Sequence, residues 1–187
     1  METMKVIQTR CSLKSQLSEK PIEPEKLKQV LDAACLAPSA RNMQPWRFVV
    51  VEGQKQIEAF VAAAVPEVNA MIKQAPVIVV ACARPGDDVA HDGKEYYLYD
   101  VGMAMENLVL AATDLGLVTH MMTNFNEAEI RKILKIPEEV RVVVITPLAY
   151  PKAGSYAESS KERLGQRTRK PFGEVAYFGQ WQEQEPA

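Results

Sequence analysis

Arg10, Ser12 and Lys14 place two cations and a hydroxyl within one short run. That combination suits a phosphate, because charge and directional donors converge on its oxygens. Cys11 lies inside the run and is counted with it, though its thiol is read as incidental. Arg167, Arg169 and Lys170 form a second basic cluster near the other end of the chain. Taken alone, each cluster reads first as ordinary solvated surface. Between them, Ala37–Trp46 carries Pro38, Ser39, Ala40, Asn42, Gln44 and Pro45, two prolines, small residues and an amide pair. Asn and Gln side chains supply donors and acceptors together, as the mixed edge of a flavin pyrimidine or a ribityl chain requires. The competing reading is that Asn42 and Gln44 satisfy turn backbone while Trp46 is core.

Other chemistry is poorly supplied. His91 and His120 are the only histidines, too few for a His-rich metal site or a Ser-His-Asp triad to assemble readily. Cys11, Cys35 and Cys82 are odd in number and widely separated, so they offer neither a CxxC metal pair nor an even disulfide framework. Cys35 and Cys82 are assigned to the core, and His120 to a structural role. No metal ligands and no side-chain catalyst are assigned, and the chemistry is expected to come from a cofactor. The formal charge of -2 over 187 residues gives no global attraction for nucleic acid, so an anion site must be local. The longest apolar runs, Pro76–Ala83 and Leu108–Ala112, fall far short of the ~20 residues of a membrane span, and Met1–Lys5 leads into no signal-like core. A cytoplasmic protein is expected, with no membrane partner.

The elements that must hold these residues follow from periodicity. Pro24 opens a helix in which Leu27, Val30, Leu31 and Ala34 share one stripe, ending near Ala37-Pro38. Trp46–Val51 has strand character and closes at Gly53. Helical spacing then runs over Gln56–Gln74, and Pro76–Ala83 reads as a strand covered on both faces. Beyond the polar stretch Arg84–Gly93 comes a helix over about Tyr96–Leu115. Its Val101–Ala112 portion is apolar on nearly every face, which makes it central or part of an interface. Leu117–Met122 is strand-like, Asn126 and Glu129 form a capping-box start for a helix ending near Lys135, and Val140–Ile145 is a further strand. Lys152–Thr168 reads as polar loop. The order predicts one domain over 1–187, with helices on both faces of a small sheet. Phe172, Val175, Tyr177, Phe178 and Trp181 carry too much apolar area for a free tail, so 172–187 is expected to be an arm docked on its own body or on a partner.

In this order the segments resemble the nitroreductase family across nearly the whole chain. Arg10, Ser12 and Lys14 match its opening Arg-x-Ser-x-Arg/Lys, and Pro38, Ser39, Asn42, Gln44, Pro45 and Trp46 match its Pro-Ser-x-x-Asn-x-Gln-Pro-Trp. Asp100-Val101-Gly102 with Glu106-Asn107-Leu108 is similar to its central helix, Pro147–Pro151 to its Pro-Leu-Gly-Tyr-Pro, and Arg167–Pro171 to its closing basic motif. The resemblance implies an α+β fold: a small mixed, largely antiparallel sheet with helices on both faces, in an interlocked homodimer with FMN at the subunit interface. By the same resemblance Arg10, Ser12, Lys14, Arg167 and Arg169 hold the FMN phosphate and polar chain. Pro38, Ser39, Ala40, Asn42 and Gln44 line the flavin, and a backbone N–H of Met122-Thr123-Asn124 faces its N5. NADH or NADPH would reduce the flavin, and a nitroaromatic, quinone or similar small acceptor would take the electrons. Thr123-Asn124 stand where many relatives carry Gly-Gly, and Ala149 replaces the Gly of Gly-Tyr-Pro, places where an added side chain narrows the space for substrate. Alternatives are a dehydrogenase, reductive dehalogenase or flavin-consuming enzyme on the same scaffold, a flavin-binding protein without turnover, and a nucleotide-binding regulator without flavin.

Overall fold

A computed structural model describes residues 2–152 and 164–181. Helix α1 spans Thr3–Thr9 and α2 Pro24–Cys35, β1 follows at Trp46–Glu52 and α3 at Gln54–Ala64. Next come β2 at Val77–Ala83, the short strands β3 and β4 at Ala90–His91 and Lys94–Glu95, and α4 at Tyr96–Asp114. The chain closes its body with β5 at Val118–Thr119, α5 at Glu127–Leu134 and β6 at Arg141–Ala149.

Every residue of β2 is buried, and the alternation of side chains along a strand divides them between two layers. Val77, Val79, Ala81 and Ala83 pack with Val30 and Ala34 of α2 and Val101, Ala104, Met105 and Leu108 of α4. Ile78, Val80 and Cys82 pack on the opposite face with Ile57, Phe60 and Val61 of α3 and Ile130 of α5. Each large side chain buried here contributes about 1.5–3 kcal/mol. The strand order is β1-β2-β6-β5, and every pairing is antiparallel, with Val50 opposite Val79, Val79 opposite Thr146 and Thr119 opposite Leu148. A parallel bridge between Ser12 and Thr119 adds the N-terminal segment beyond β5. This is the expected α+β architecture, a small, largely antiparallel sheet clad on both faces.

Several expectations are corrected. Helical spacing does not carry through Gln56–Gln74: α3 ends at Ala64, ahead of Pro66, and Glu67–Gln74 continues as 3-10 turns. Proline removes an N–H donor and disfavours helix in the residue before it, which outweighs periodicity. Arg84–Gly93 contains a hairpin, with Asp92 and Gly93 both left-handed at its tip, the backbone that a two-residue Asp-Gly turn requires. Helix α1 was not anticipated. Cys82 is core as expected, and burial pushes its thiol up to about 12, but Cys35, the last residue of α2, is exposed. The first turn of α4 leaves apolar side chains open in the single chain, with Leu98 50% and Tyr99 64% exposed. The Asn126 cap forms, its Oδ1 accepting the Glu129 N–H at 3.3 Å, but the other half of the expected capping box is replaced, because the Asn126 N–H donates to Ala64 O at 2.8 Å.

The described part of the arm, 172–181, leaves most of its aromatic area open in the single chain. Phe172 is 71%, Phe178 82% and Trp181 77% exposed, and the aromatic contacts pair Phe172 with Phe178 and Tyr177 with Trp181. Residues 153–163 of the expected polar loop and 182–187 of the arm lie outside the described residues.

Candidate functional site

The Arg10–Lys14 run is laid down by alternation. Leu13 donates its N–H to Thr119 O at 2.9 Å, and Cys11, Leu13 and Leu17 bury against Ala75, Val118 and Ala149. Ser12, between two buried neighbours, faces outward. Arg167 reaches back to this segment from the far end of the chain, donating to Gln8 O at 3.2 Å and to Arg10 O, 157 positions away. Arg10, Cys11, Ser12, Gln166, Arg167 and Arg169 thus line one open cleft of about 310 Å³. The two basic clusters become one wall, with Gln166 an addition that the sequence did not single out. Guanidinium groups and a hydroxyl converging on one cleft fit the oxygens of a phosphate monoester.

Lys14 leaves this wall. Its Nζ donates to Val68 O at 3.2 Å and Asn69 Oδ1 at 3.4 Å, tying the N-terminal run to the 3-10 turns. Asn69 was also missed, because only the helix break at Pro66 brings it to face Lys14. Its own N–H donates to Pro66 O at 2.8 Å.

The Pro38–Pro45 loop is tightly wound. Arg41, Asn42 and Gln44 all have positive φ, at 50°, 58° and 50°, a region that costs a non-glycine residue roughly 1–2 kcal/mol. Ser39 Oγ accepts the Gln44 N–H at 3.0 Å, and Gln44 Nε2 donates to Asn42 Oδ1 at 3.1 Å. The amide pair is therefore turned on itself, as the competing sequence reading required, while Asn42 and Gln44 remain exposed. Ala40 donates its N–H to Asp100 Oδ2 at 2.7 Å. Burial foremost raises the Asp100 pKa, the Ala40 N–H opposes that, and Asp88 raises it further. Arg41 and Met43 join Asp88, Val89, Ala90 and His91 around a separate cavity of about 290 Å³. Within one chain the loop and the basic cleft line different cavities.

Met122 is buried and bridges Ile145, its N–H donating to Ile145 O at 2.8 Å. Thr123 and Asn124, which follow, are exposed. Asn124 borders a groove of about 380 Å³ with Ala63–Pro66, Phe125 and Asn126. Ala149 is fully buried against Cys11, Leu13 and Leu17, so its methyl fills core in the single chain. Tyr150 beside it clamps the fold. Its hydroxyl donates to the Glu23 carboxylate, accepts from Lys26 Nζ at 2.7 Å, and chiefly accounts for holding the Glu23 pKa down to about 2. His120 is half-buried, its backbone N–H donating to Thr146 Oγ1 at 3.0 Å.

Residues 7–150 match the profile of the Nitroreductase family. The chain belongs to the nitroreductase family. A relative from Methanothermobacter thermautotrophicus, named for NADH dehydrogenase/NAD(P)H nitroreductase, is 32% identical over 159 residues, covering 81% of this chain and 78% of its own. A nitroreductase family protein from Clostridium novyi NT is 39% identical with a TM-score of 0.76, over 81% of this chain and 88% of its own. A second solved structure, described as an oxidoreductase containing FMN, is 27% identical with a TM-score of 0.79, over 96% of this chain and 92% of its own. An iodotyrosine deiodinase from Haliscomenobacter hydrossis is 29% identical over 171 residues, 75% of each chain. This nitroreductase-family chain has, among its described residues, no helix long and apolar enough to cross a membrane.

Proposed function

We propose that this protein binds FMN and passes electrons from NADH or NADPH to a nitroaromatic, quinone or similar small acceptor. The observation that carries this reading is the single cleft formed by Arg10, Ser12, Arg167 and Arg169. Its guanidinium and hydroxyl donors would take the phosphate, with Cys11 in the wall behind them. Arg167 has donors to spare beyond the two carbonyls that it already holds. Lys14 with Asn69 would offer an ammonium and an amide further along the same segment. A backbone N–H of the Met122-Thr123-Asn124 segment would stand at the ring, from Thr123 or Asn124 because Met122 gives its own to Ile145 O. Bound FMN supplies a two-electron carrier whose face is shared in turn by donor and acceptor. The protein's part is to orient it, to set cationic and N–H groups where negative charge collects, and to leave one face open.

Pro38, Ser39, Ala40, Asn42 and Gln44 would complete the site from a second copy of the chain. Exposed Leu98 and Tyr99 on α4 and the uncovered aromatic arm supply the apolar area that such a homodimer would bury. A cytoplasmic location accompanies a nicotinamide donor in this reading.

The test is the visible spectrum of the purified protein, followed by release and identification of the flavin. A yellow protein releasing FMN, bleached by NADH or NADPH under anaerobic mixing, is the expected result. No flavin after reconstitution overturns the reading, and bound flavin that neither donor bleaches leaves a binding protein without turnover. Reductive dehalogenation is the second reading, favoured by the deiodinase relative. Halide release from a halogenated phenol, set against reduction of nitroaromatics and quinones, separates the two.

A further inference from the structure

Arg41 stands at the turn of the 38–45 loop, between Ala40 and Asn42, with a φ of 50°. Asparagine tolerates left-handed backbone and glycine adopts it freely, whereas arginine gains nothing from it. The turn does not use the Arg41 side chain. It is held by Ser39 Oγ on the Gln44 N–H, by the amide pair, and by Asp100 on the Ala40 N–H. Arginines elsewhere in the body, among them Arg47, Arg84, Arg131 and Arg141, donate to protein oxygens. The guanidinium of Arg41 is exposed and has no acceptor among the described residues. A strained backbone that holds out an unneutralised cation points to a role outside the fold itself.

That cation lines the cavity of about 290 Å³ that Arg41 and Met43 share with Asp88, Val89, Ala90 and His91. Asp88 brings a carboxylate, yet its Oδ1 accepts the Val89 N–H at 2.7 Å and its Oδ2 is buried. Asp87 beside it lies between Arg47 and Arg84, at 3.9 and 3.8 Å. His91 is exposed, with Nε2 3.4 Å from Asp92 Oδ2. The Arg41 fork can set two N–H groups on two oxygens of a carboxylate or phosphate, while Met43 and Val89 offer apolar surface to a ring beside it. We propose that Arg41 is a specificity residue that receives, in the cavity it shares with His91, the oxyanion of a substrate of the flavin: the carboxylate of an aromatic acceptor or the 2′-phosphate of NADPH. This rests on the FMN reading for which ligand arrives, not for the cavity, whose walls come from one chain. Ala40 and Asn42, given to the flavin in that reading, have Cα atoms about 3.8 Å from that of Arg41 on either side. An oxyanion on the guanidinium then lies within one substrate's length of the ring.

His91 and His120 are the chain's two histidines, so imidazole C–H resonances report on the cavity directly. In the cofactor-free protein benzoate is expected to shift the His91 resonance saturably, the signal being identified by its loss in H91Q, and to leave that of His120 in place. R41Q is expected to weaken benzoate roughly ten- to hundredfold, the scale of hydrogen bonds to a charged group. R41K, which keeps the charge and loses the fork, is expected to fall between. In the holoenzyme R41Q is expected to lower kcat/KM by about tenfold for 4-nitrobenzoate relative to 4-nitrobenzyl alcohol, or for NADPH relative to NADH. The ratio that moves names the source of the oxyanion. A His91 resonance that benzoate leaves unmoved, or moves equally in R41Q, overturns the site, and two unmoved ratios overturn its assignment to a substrate. Failure of the unsubstituted protein to bind FMN overturns the cofactor reading alone, because the benzoate titration needs no cofactor.

Discussion

The 38–45 loop and the 172–181 arm both fall in segments that read as site or interface from sequence, yet they are held in opposite ways. The loop has three residues in left-handed backbone and is fixed by Ser39, by its own amide pair and by a buried aspartate. The arm has aromatic mass and, over its described part, pairs its rings with one another, with Phe178 and Trp181 more than three-quarters exposed. A loop built this way has its shape before anything binds. An arm built this way takes its place from whatever covers it. Exposed aromatic area of that extent favours association, while the loop's internal bonds favour preorganisation.

The strongest way to break this comparison is to remove the arm. Deleting residues 172–187 is expected to convert a dimer to a monomer by light scattering and to abolish FMN retention, while α-helical circular dichroism persists. A dimer that survives the deletion would show that the arm covers no partner. Next in size is Arg167→Ala, which cuts the tie to Gln8 and Arg10. FMN affinity is expected to fall by about 1.5–3 kcal/mol, the range for hydrogen bonds to charged groups, measured by flavin fluorescence quenching. Ser39→Ala removes the acceptor of the Gln44 N–H and is expected to cost about 0.5–1.5 kcal/mol in urea unfolding, with dimerisation unchanged. Arg41→Gly is expected to be neutral to stabilising by up to about 1 kcal/mol, because relief of positive φ is offset by a freer unfolded chain. A marked loss of stability there would mean that the Arg41 side chain, and not the turn, holds the loop.

A last prediction uses a part of the body outside both segments. Arg141 donates to both carboxylate oxygens of Glu127, at 2.9 and 3.0 Å, and this chiefly holds the Glu127 pKa below its ordinary value. A depressed carboxyl contributes above its unfolded pKa, and that contribution is lost as pH falls through the folded value. Thermal midpoints should therefore decline on acidification less steeply in Glu127→Gln than in the parent.

Local patterns were legible where one physical rule acts alone. The buried run of β2, the Asn126 cap and the loop between α2 and β1 were all readable because their signals lie within a few residues. The meeting of Arg10 and Arg167 was inferred from family likeness and not from spacing, since nothing local joins positions so far apart. Asp100 gave no signal of its function, for an aspartate in an apolar helix declares a partner without naming it, and Ala40 lies 60 positions away. Asn69 was hidden because periodicity was carried past Pro66. The direction of the Ala149 side chain was not legible, because the side to which a strand residue points depends on register. Here its pairing with Val118 turns the methyl inward.

The bridge between Ser12 and Thr119 has a consequence for solubility. β5 is two residues long and ends the sheet, and a terminal strand leaves N–H and C=O groups open to pairing with any passing chain. The segment that lines the basic cleft also caps that edge, through the Leu13 N–H bond to Thr119 O. A ligand gripped by Arg10 and Ser12 would hold the cap shut, and a chain from which that segment lifts would present the edge to its neighbours. Aggregation in storage should then track loss of the ligand before it tracks global unfolding.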